Sequence, residues 1–212
     1  MGTFTKGILG GFSGKVGTVI GSTWKGITYM KSLPTPRSGP ASQAQIEQQA
    51  RFTLMIKFMQ PFLSFVNTGF KNYGNKMTGF NSAMSYNLKN AVTGVYPFYE
   101  INYPDVLVTR GDLPNGGNPQ AVSVSEGTVQ FTWSDNSGTG KAKAGDKAML
   151  MVYCPELKQA IYTTGSAPRS LSTETLAVSS FSGKEVETYI GFISEDGRDV
   201  ATSVYTGSMT VS

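Results

Sequence analysis

The sequence predicts an α+β chain: an N-terminal β-hairpin and helical segment, followed by a C-terminal antiparallel immunoglobulin/fibronectin III-like β-sandwich. Three observations predict it. Apolar residues recur at helical spacing only in the stretch from Gln43 to Ala91. Seven short strand-like runs follow residue 121, each bounded by turn residues. Charged residues make up 15% of the chain, where about 25% is usual. Gly, Ser, Thr and Asn replace them, a balance that suits strands, turns and protein-covered surfaces.

Residues 1–40 form a Gly-rich arm. The β-prone runs 16–24 and 27–32 flank Lys25-Gly26, and two such runs around a Gly-containing pair read as a hairpin. Val19, Trp24, Ile27 and Tyr29 are its packing residues. A lone hairpin is marginally stable in water, so this one needs a surface to dock on. Leu33-Pro-Thr-Pro-Arg-Ser-Gly-Pro40 then breaks regular structure.

Residues 41–94 are the helical segment. Ser42 reads as an N-cap for a helix over Gln43–Met59. Ile46, Ala50, Leu54 and Phe58 line one face, which Met55, Met59 and Phe62 widen. Pro61 ends or kinks the helix. A second helix is expected over 79–91, with Phe80, Met84, Leu88 and Ala91 in one stripe, closed by Thr93-Gly94. Residues 95–120 hold four prolines. They read as a connection with one strand at 106–110 and a linker at 115–119.

The sandwich occupies 121–212. Its expected strands are 122–125, 128–134, 148–154, 159–164, 175–179, 185–194 and 201–211. Val129, Phe131 and Trp133 alternate as a half-buried strand does, and Glu195-Asp-Gly-Arg198 is a hairpin turn. Seven short strands in about 90 residues is the sandwich pattern.

The net charge of +4 hides an asymmetry. Residues 1–76 carry nine Lys or Arg against one acid, Glu47, while residues 77–212 carry nine against thirteen. A basic front and an acidic back suit a polyanion or head-to-tail pairing of copies. The basic residues stand singly, without a run.

Chemistry finds few footholds. The chain has no His, which removes most metal sites, Ser-His triads and general bases tuned near neutral pH. The lone Cys154 sits in an apolar strand and reads as a buried thiol. The pairs Glu185 with Glu187, on a strand edge, and Asp196 with Asp199, in a turn, read as solvated charges. Gly138-Thr-Gly-Lys-Ala-Lys-Ala-Gly145 lacks phosphate-loop spacing. Asp135-Asn-Ser-Gly with Asp146 offers oxygens to a cation but reads as an Asx turn. Tyr96, Phe98, Tyr99, Tyr103, Trp133 and Tyr153 are the aromatics a glycan platform would use. The start shows neither a secretory signal nor a myristoylation pattern, and no run reaches the roughly 20 apolar residues of a membrane span.

Several segments together carry a resemblance: Gly7-Ile-Leu-Gly-Gly-Phe-Ser-Gly-Lys-Val-Gly-Thr-Val-Ile-Gly21, Trp24-Lys-Gly-Ile-Thr-Tyr-Met-Lys-Ser-Leu-Pro34, Gln45 to Phe52, Gly69-Phe-Lys-Asn-Tyr73, Asn81-Ser-Ala-Met-Ser-Tyr86, Asn90-Ala-Val-Thr-Gly94, Phe131-Thr-Trp-Ser-Asp-Asn-Ser-Gly138 and Gly191-Phe-Ile-Ser-Glu-Asp-Gly197. The chain resembles an uncharacterised domain family widespread in Bacteroidota. That family carries no known activity, so no catalytic or ligand residues transfer. The front block, a Gly-Lys hairpin, a Pro-rich break and a helix start running from Gln45 to Arg51-Phe52, is also similar to putative phage-associated structural proteins.

The expectation is a non-enzymatic structural protein that self-assembles or decorates a larger particle, virion-like or filamentous. Its interface residues are Trp24, Lys25, Ile27, Tyr29 and Lys31, the lysines facing an acidic surface. The partners are further copies of itself or other structural proteins. It needs no cofactor, and it resides in the cytoplasm or in a particle. Two alternatives stand beside this. One is nucleic-acid binding by the basic N-terminal 76 residues, and the other is glycan binding by the sandwich.

Overall fold

A computed structural model describes residues 2–4, 10–24, 26–35, 39–74 and 77–212. The chain is mostly β-sheet with helices, in two compact units, Met1–Ser42 and Gln43–Ser212.

The first unit is an antiparallel meander of β1 (Thr3–Phe4), β2 (Phe12–Val16), β3 (Val19–Trp24) and β4 (Ile27–Ser32), paired in that order. The single run expected over 16–24 is two strands. Gly17 takes φ +58°, so Gly17-Thr18 turns the chain and Val16 pairs with Val19. Gly26, at φ +79°, helps close the next turn, where Trp24 pairs with Ile27. Glycine is needed at such positive φ because a Cβ would clash. Gly21 is needed for a different reason: a Cβ there would meet the Phe12 carbonyl oxygen at 2.2 Å.

The second unit opens with α1 (Gln43–Met59), α2 (Leu63–Gly69) and α3 (Gly79–Asn90), with short 3-10 turns around Pro61 and at Lys71–Tyr73. Thr78 caps α3 by accepting the Asn81 N–H at 3.1 Å. Thr93-Gly94 does not close that helix. It lies in β5 (Val92–Val95), which pairs with β6 (Phe98–Ile101) in a hairpin.

The strand expected at 106–110 is not a strand. It is an extended strip pinned by side chains. The buried Asn87 amide accepts from Leu107 N at 3.0 Å and donates to Leu107 O at 2.9 Å. Ser203 Oγ accepts from Val108 N at 3.0 Å. The stretch read as a linker at 115–119 runs into a strand of the sandwich.

That sandwich has two antiparallel sheets. One orders β11 (Thr173–Ala177), β8 (Thr128–Ser134) and β7 (Gly117–Ser125); the other orders β10 (Gln159–Pro168), β9 (Lys147–Cys154), β12 (Glu185–Ile193) and β13 (Val204–Thr210). All seven strand regions expected after residue 121 are present. The facing sides share a core of Val129, Phe131, Trp133, Leu150, Val152, Ile190 and Phe192.

The outer side of the four-stranded sheet is buried too. Met149, Met151, Tyr153 and Tyr189 pack against Met55, Phe58, Met59, Phe62, Phe65 and Val66 of the helical layer. Phe58 meets Tyr153 edge-on at 4.9 Å. Strand β9 therefore has no solvent side, which is why it reads as an unbroken apolar run. The helices and the sandwich make one unit, although 41–94 and 121–212 look separable in sequence. Each large side chain so buried contributes about 1.5–3 kcal/mol.

One end of the sandwich holds a buried ion pair. Arg169 donates from its NH2 nitrogen to Asp146 Oδ2 at 3.2 Å, and both side chains are wholly buried. The guanidinium also donates to Asn136 Oδ1 and to the Pro114 carbonyl, and it lies 4.2 Å from the Phe192 ring centre. The Arg169 carbonyl accepts the Trp133 indole N–H at 2.7 Å. Burial pulls the Arg169 pKa down, and Asp146 opposes that pull. Arg169→Met strands a buried carboxylate. It should lower unfolding free energy by about 3–5 kcal/mol in urea titrations, and adding Asp146→Leu should recover most of the loss. A fragment of residues 112–212 alone should bind hydrophobic dyes and aggregate, because it uncovers Met149, Met151, Tyr153 and Tyr189. A well-behaved monomeric fragment would contradict the shared core.

Candidate interaction surfaces

The strand register of the arm decides which side chains share a face. Trp24 stands opposite Ile27, Tyr29 opposite Ser22, and Lys31 opposite Ile20, which also faces Lys15 across the next strand. Trp24, Ile27, Tyr29 and Lys31 therefore lie on one face, with Lys15 and Ile20. The three apolar residues among the expected interface set are 42%, 46% and 41% exposed, in chain order. Lys25 lies outside the described residues. No described side chain of the arm belongs to a buried apolar core. The charge boundary also sharpens. Residues 1–42 carry five Lys or Arg and no acid, while 43–212 carry thirteen against fourteen.

On the second unit, the β5–β6 hairpin holds out Val95 and Phe98, 76% and 77% exposed, with Tyr96 beside them. Phe52 is exposed on α1. Val95 and Phe52 were missed as surface groups. Only the run Val95-Tyr-Pro-Phe98, β-formers around a proline, hinted at a hairpin. A cleft of about 450 Å³ between α1 and this hairpin includes Glu47, Arg51, Tyr96 and Tyr99. The Arg51 guanidinium sits 5.0 Å from the Tyr99 ring centre.

A second groove of about 370 Å³ has Phe58, Tyr99, Tyr103 and Tyr153 in its walls and Lys57, Glu100 and Lys158 in its lining. Of the aromatics named for a glycan platform, Tyr99, Tyr103 and Tyr153 meet here. Tyr96 and Phe98 sit on the hairpin, and Trp133 is in the sandwich core.

Of the carboxylates read as solvated charges, Glu185 and Asp196 are exposed and Asp199 half-exposed, and Glu187 alone departs. Glu187 is on a central strand, not an edge. It is 7% exposed and accepts the Tyr205 hydroxyl at 2.6 Å. Burial raises its pKa against the opposing pull of that hydrogen bond, and burial foremost pushes Tyr205 up to about 12. Burial likewise raises Tyr103, Tyr153 and Tyr189. Asp196 is held low by hydrogen bonds from Ser194 and the Arg198 N–H. Asp135 accepts from Ser137 N at 2.9 Å, the Asx turn, and is held low mainly by the Ser137 hydroxyl. Asp146 is committed to Arg169.

The sequence profile of a family described as "Family of unknown function (DUF6266)" matches residues 11–207. No curated protein matches the chain. Among solved structures it is similar to the fn3 domain of the human collagen alpha-1(XX) chain, at 13% identity and a TM-score of 0.35, covering 47% of this chain and 85% of that one. No helix among the described residues is long and apolar enough to cross a membrane.

Glu187 makes stability depend on pH. Its folded pKa lies above the ordinary 4.5, so the fold prefers it protonated. The stability this contributes is complete below the ordinary value and is lost as pH rises through the raised one. Glu187→Gln should remove that fall, and unfolding curves at pH 5 and pH 8 should then differ less than in the native chain. An unchanged difference would rule out Glu187 as its source.

Proposed function

We propose that this chain, which belongs to the DUF6266 family, a family of unknown function, is a non-enzymatic structural protein that self-assembles or decorates a larger particle. One observation carries the reading. The arm is a four-stranded sheet with no apolar core among its described residues, and it holds out Trp24, Ile27 and Tyr29 together on one face. Small sheets without a buried face are marginal alone, and contiguous exposed apolar side chains mark interaction surfaces. Trp24, Ile27 and Tyr29 form the attachment face, with Lys25 and Lys31 toward an acidic surface. The second unit, with its own two cores, is the outward module, and its sandwich is of the immunoglobulin/fibronectin III-like kind. The likeness of the front block to putative phage-associated structural proteins supports a virion-like or filamentous particle. Its place is the cytoplasm or that particle.

A second reading draws on the aromatic groove where Tyr99, Tyr103 and Tyr153 meet: a glycan site at the margin of the sandwich. A glycan array without hits would end it.

Size-exclusion chromatography with light scattering, and negative-stain microscopy of the native source, test the structural reading. The full chain should appear in a regular assembly or bound to a particle. The Gln43–Ser212 unit alone should be monomeric and unattached. A full chain that stays monomeric at high concentration and attaches to no particle would overturn the proposal.

A further inference from the structure

Resting on the reading of the arm as an attachment element, we propose that the face of its sheet carrying Trp24, Tyr29, Lys15 and Lys31 binds single-stranded nucleic acid. The two faces of the sheet differ. On one side, Gly14 at φ +99° bends β2, the Phe12 carbonyl lies over Gly21, and Gly11 lies against Thr28. Residues 11–12 thus fold back across that side. The other side holds Ile20, Trp24, Ile27 and Tyr29, together with Lys15 and Lys31, the only charged residues in the arm's strands.

The layout on that face is ordered. Trp24–Ile27 and Ser22–Tyr29 are cross-strand pairs two residues apart, a step of about 6.8 Å along the strands. This is twice the rise of about 3.4 Å between bases along a duplex strand. Bases that meet both rings must therefore be pulled out of a continuous stack, as only an unpaired strand allows. Lys15, Ile20 and Lys31 form the next row. Its two lysines sit on strands about two sheet spacings apart, roughly 9–10 Å, straddling a track for phosphates.

Aromatic rings for stacking beside ammonium groups for the backbone are what sequence-tolerant single-strand binding uses. With five Lys or Arg and no acid in residues 1–42, the arm carries a net positive charge that attracts a polyanion. An acidic protein surface would answer the lysines. A single strand answers both sets at once, its phosphates the lysines and its unstacked bases the two exposed rings.

Trp24 makes the test direct. The other tryptophan, Trp133, is 4% exposed in the sandwich core, so quenching of emission by added nucleic acid reports on Trp24. Titrating the full chain with oligothymidylate at about 50 mM salt should give saturable quenching. Affinity should fall steeply toward about 200 mM. The double variant Lys15→Gln/Lys31→Gln should lower the log–log salt slope by about 1.4, at about 0.7 per phosphate contact. Tyr29→Ala should weaken binding about tenfold or more. Tyr29→Phe, which keeps the ring, and Met30→Gln, on the other side of the sheet, should bind as the native chain does.

Absence of quenching at low salt, or equal affinity for a duplex, would overturn the proposal. Equal competition by polyglutamate would assign the face to an acidic protein instead. Light scattering on the same samples separates the two readings. Assembly without oligonucleotide binding removes only this partner, while binding by a chain that neither assembles nor attaches to a particle removes only the structural role.

Discussion

Strand β9 has no side facing water, and the arrangement of the second unit follows from that. Leu150 and Val152 point into the sandwich, while Met149, Met151 and Tyr153 point at the helices. A strand of this kind cannot be left with one face bare, because several large apolar side chains would return to water at once. The helical layer is therefore part of the sandwich's stability rather than a neighbour joined by a linker. The strip at 106–110 helps to tie the two together, through Asn87 on α3 and Ser203 just before β13.

The buried polar groups of this unit are paired with one another or with backbone. Arg169 and Asp146 close one end of the sandwich, with Asn136 and the Pro114 carbonyl taking further guanidinium protons. Glu187 and Tyr205 sit on the helix-facing side of the sheet. Neither group resembles a catalytic set. Arg169 spends its NH1 and NH2 protons on Asn136, the Pro114 carbonyl and Asp146, and Glu187 lies beside tyrosines that burial holds protonated.

The arm follows opposite rules. Its described residues form strands and turns without a buried apolar core, and strand register sorts Trp24, Tyr29, Lys15 and Lys31 onto one face. Its charge differs from the rest of the chain as sharply as its packing. The basic front half seen in sequence resolves into 42 residues without a carboxylate and a second unit close to neutral.

Periodicity and turn chemistry alone determined the seven sandwich strands, the extent of α1 and the two-residue turn between Trp24 and Ile27, because those features depend on neighbours in sequence. Sequence grouped Val19, Trp24, Ile27 and Tyr29 as packing residues of the arm, but the register puts Val19 on the opposite side from the other three, because successive side chains of a strand alternate in face. Tertiary structure alone decided the rest. The β5–β6 hairpin was hidden because its four-residue strands, Val92–Val95 and Phe98–Ile101, are too short to show a period. The strip at 106–110 has strand-like composition, yet its hydrogen bonds go to side chains from α3 and from near β13. The Asp146–Arg169 pair spans 23 residues, and the burial of Glu187 depends on the layers packed around its strand. Such contacts join residues far apart in the chain, and no local pattern records them.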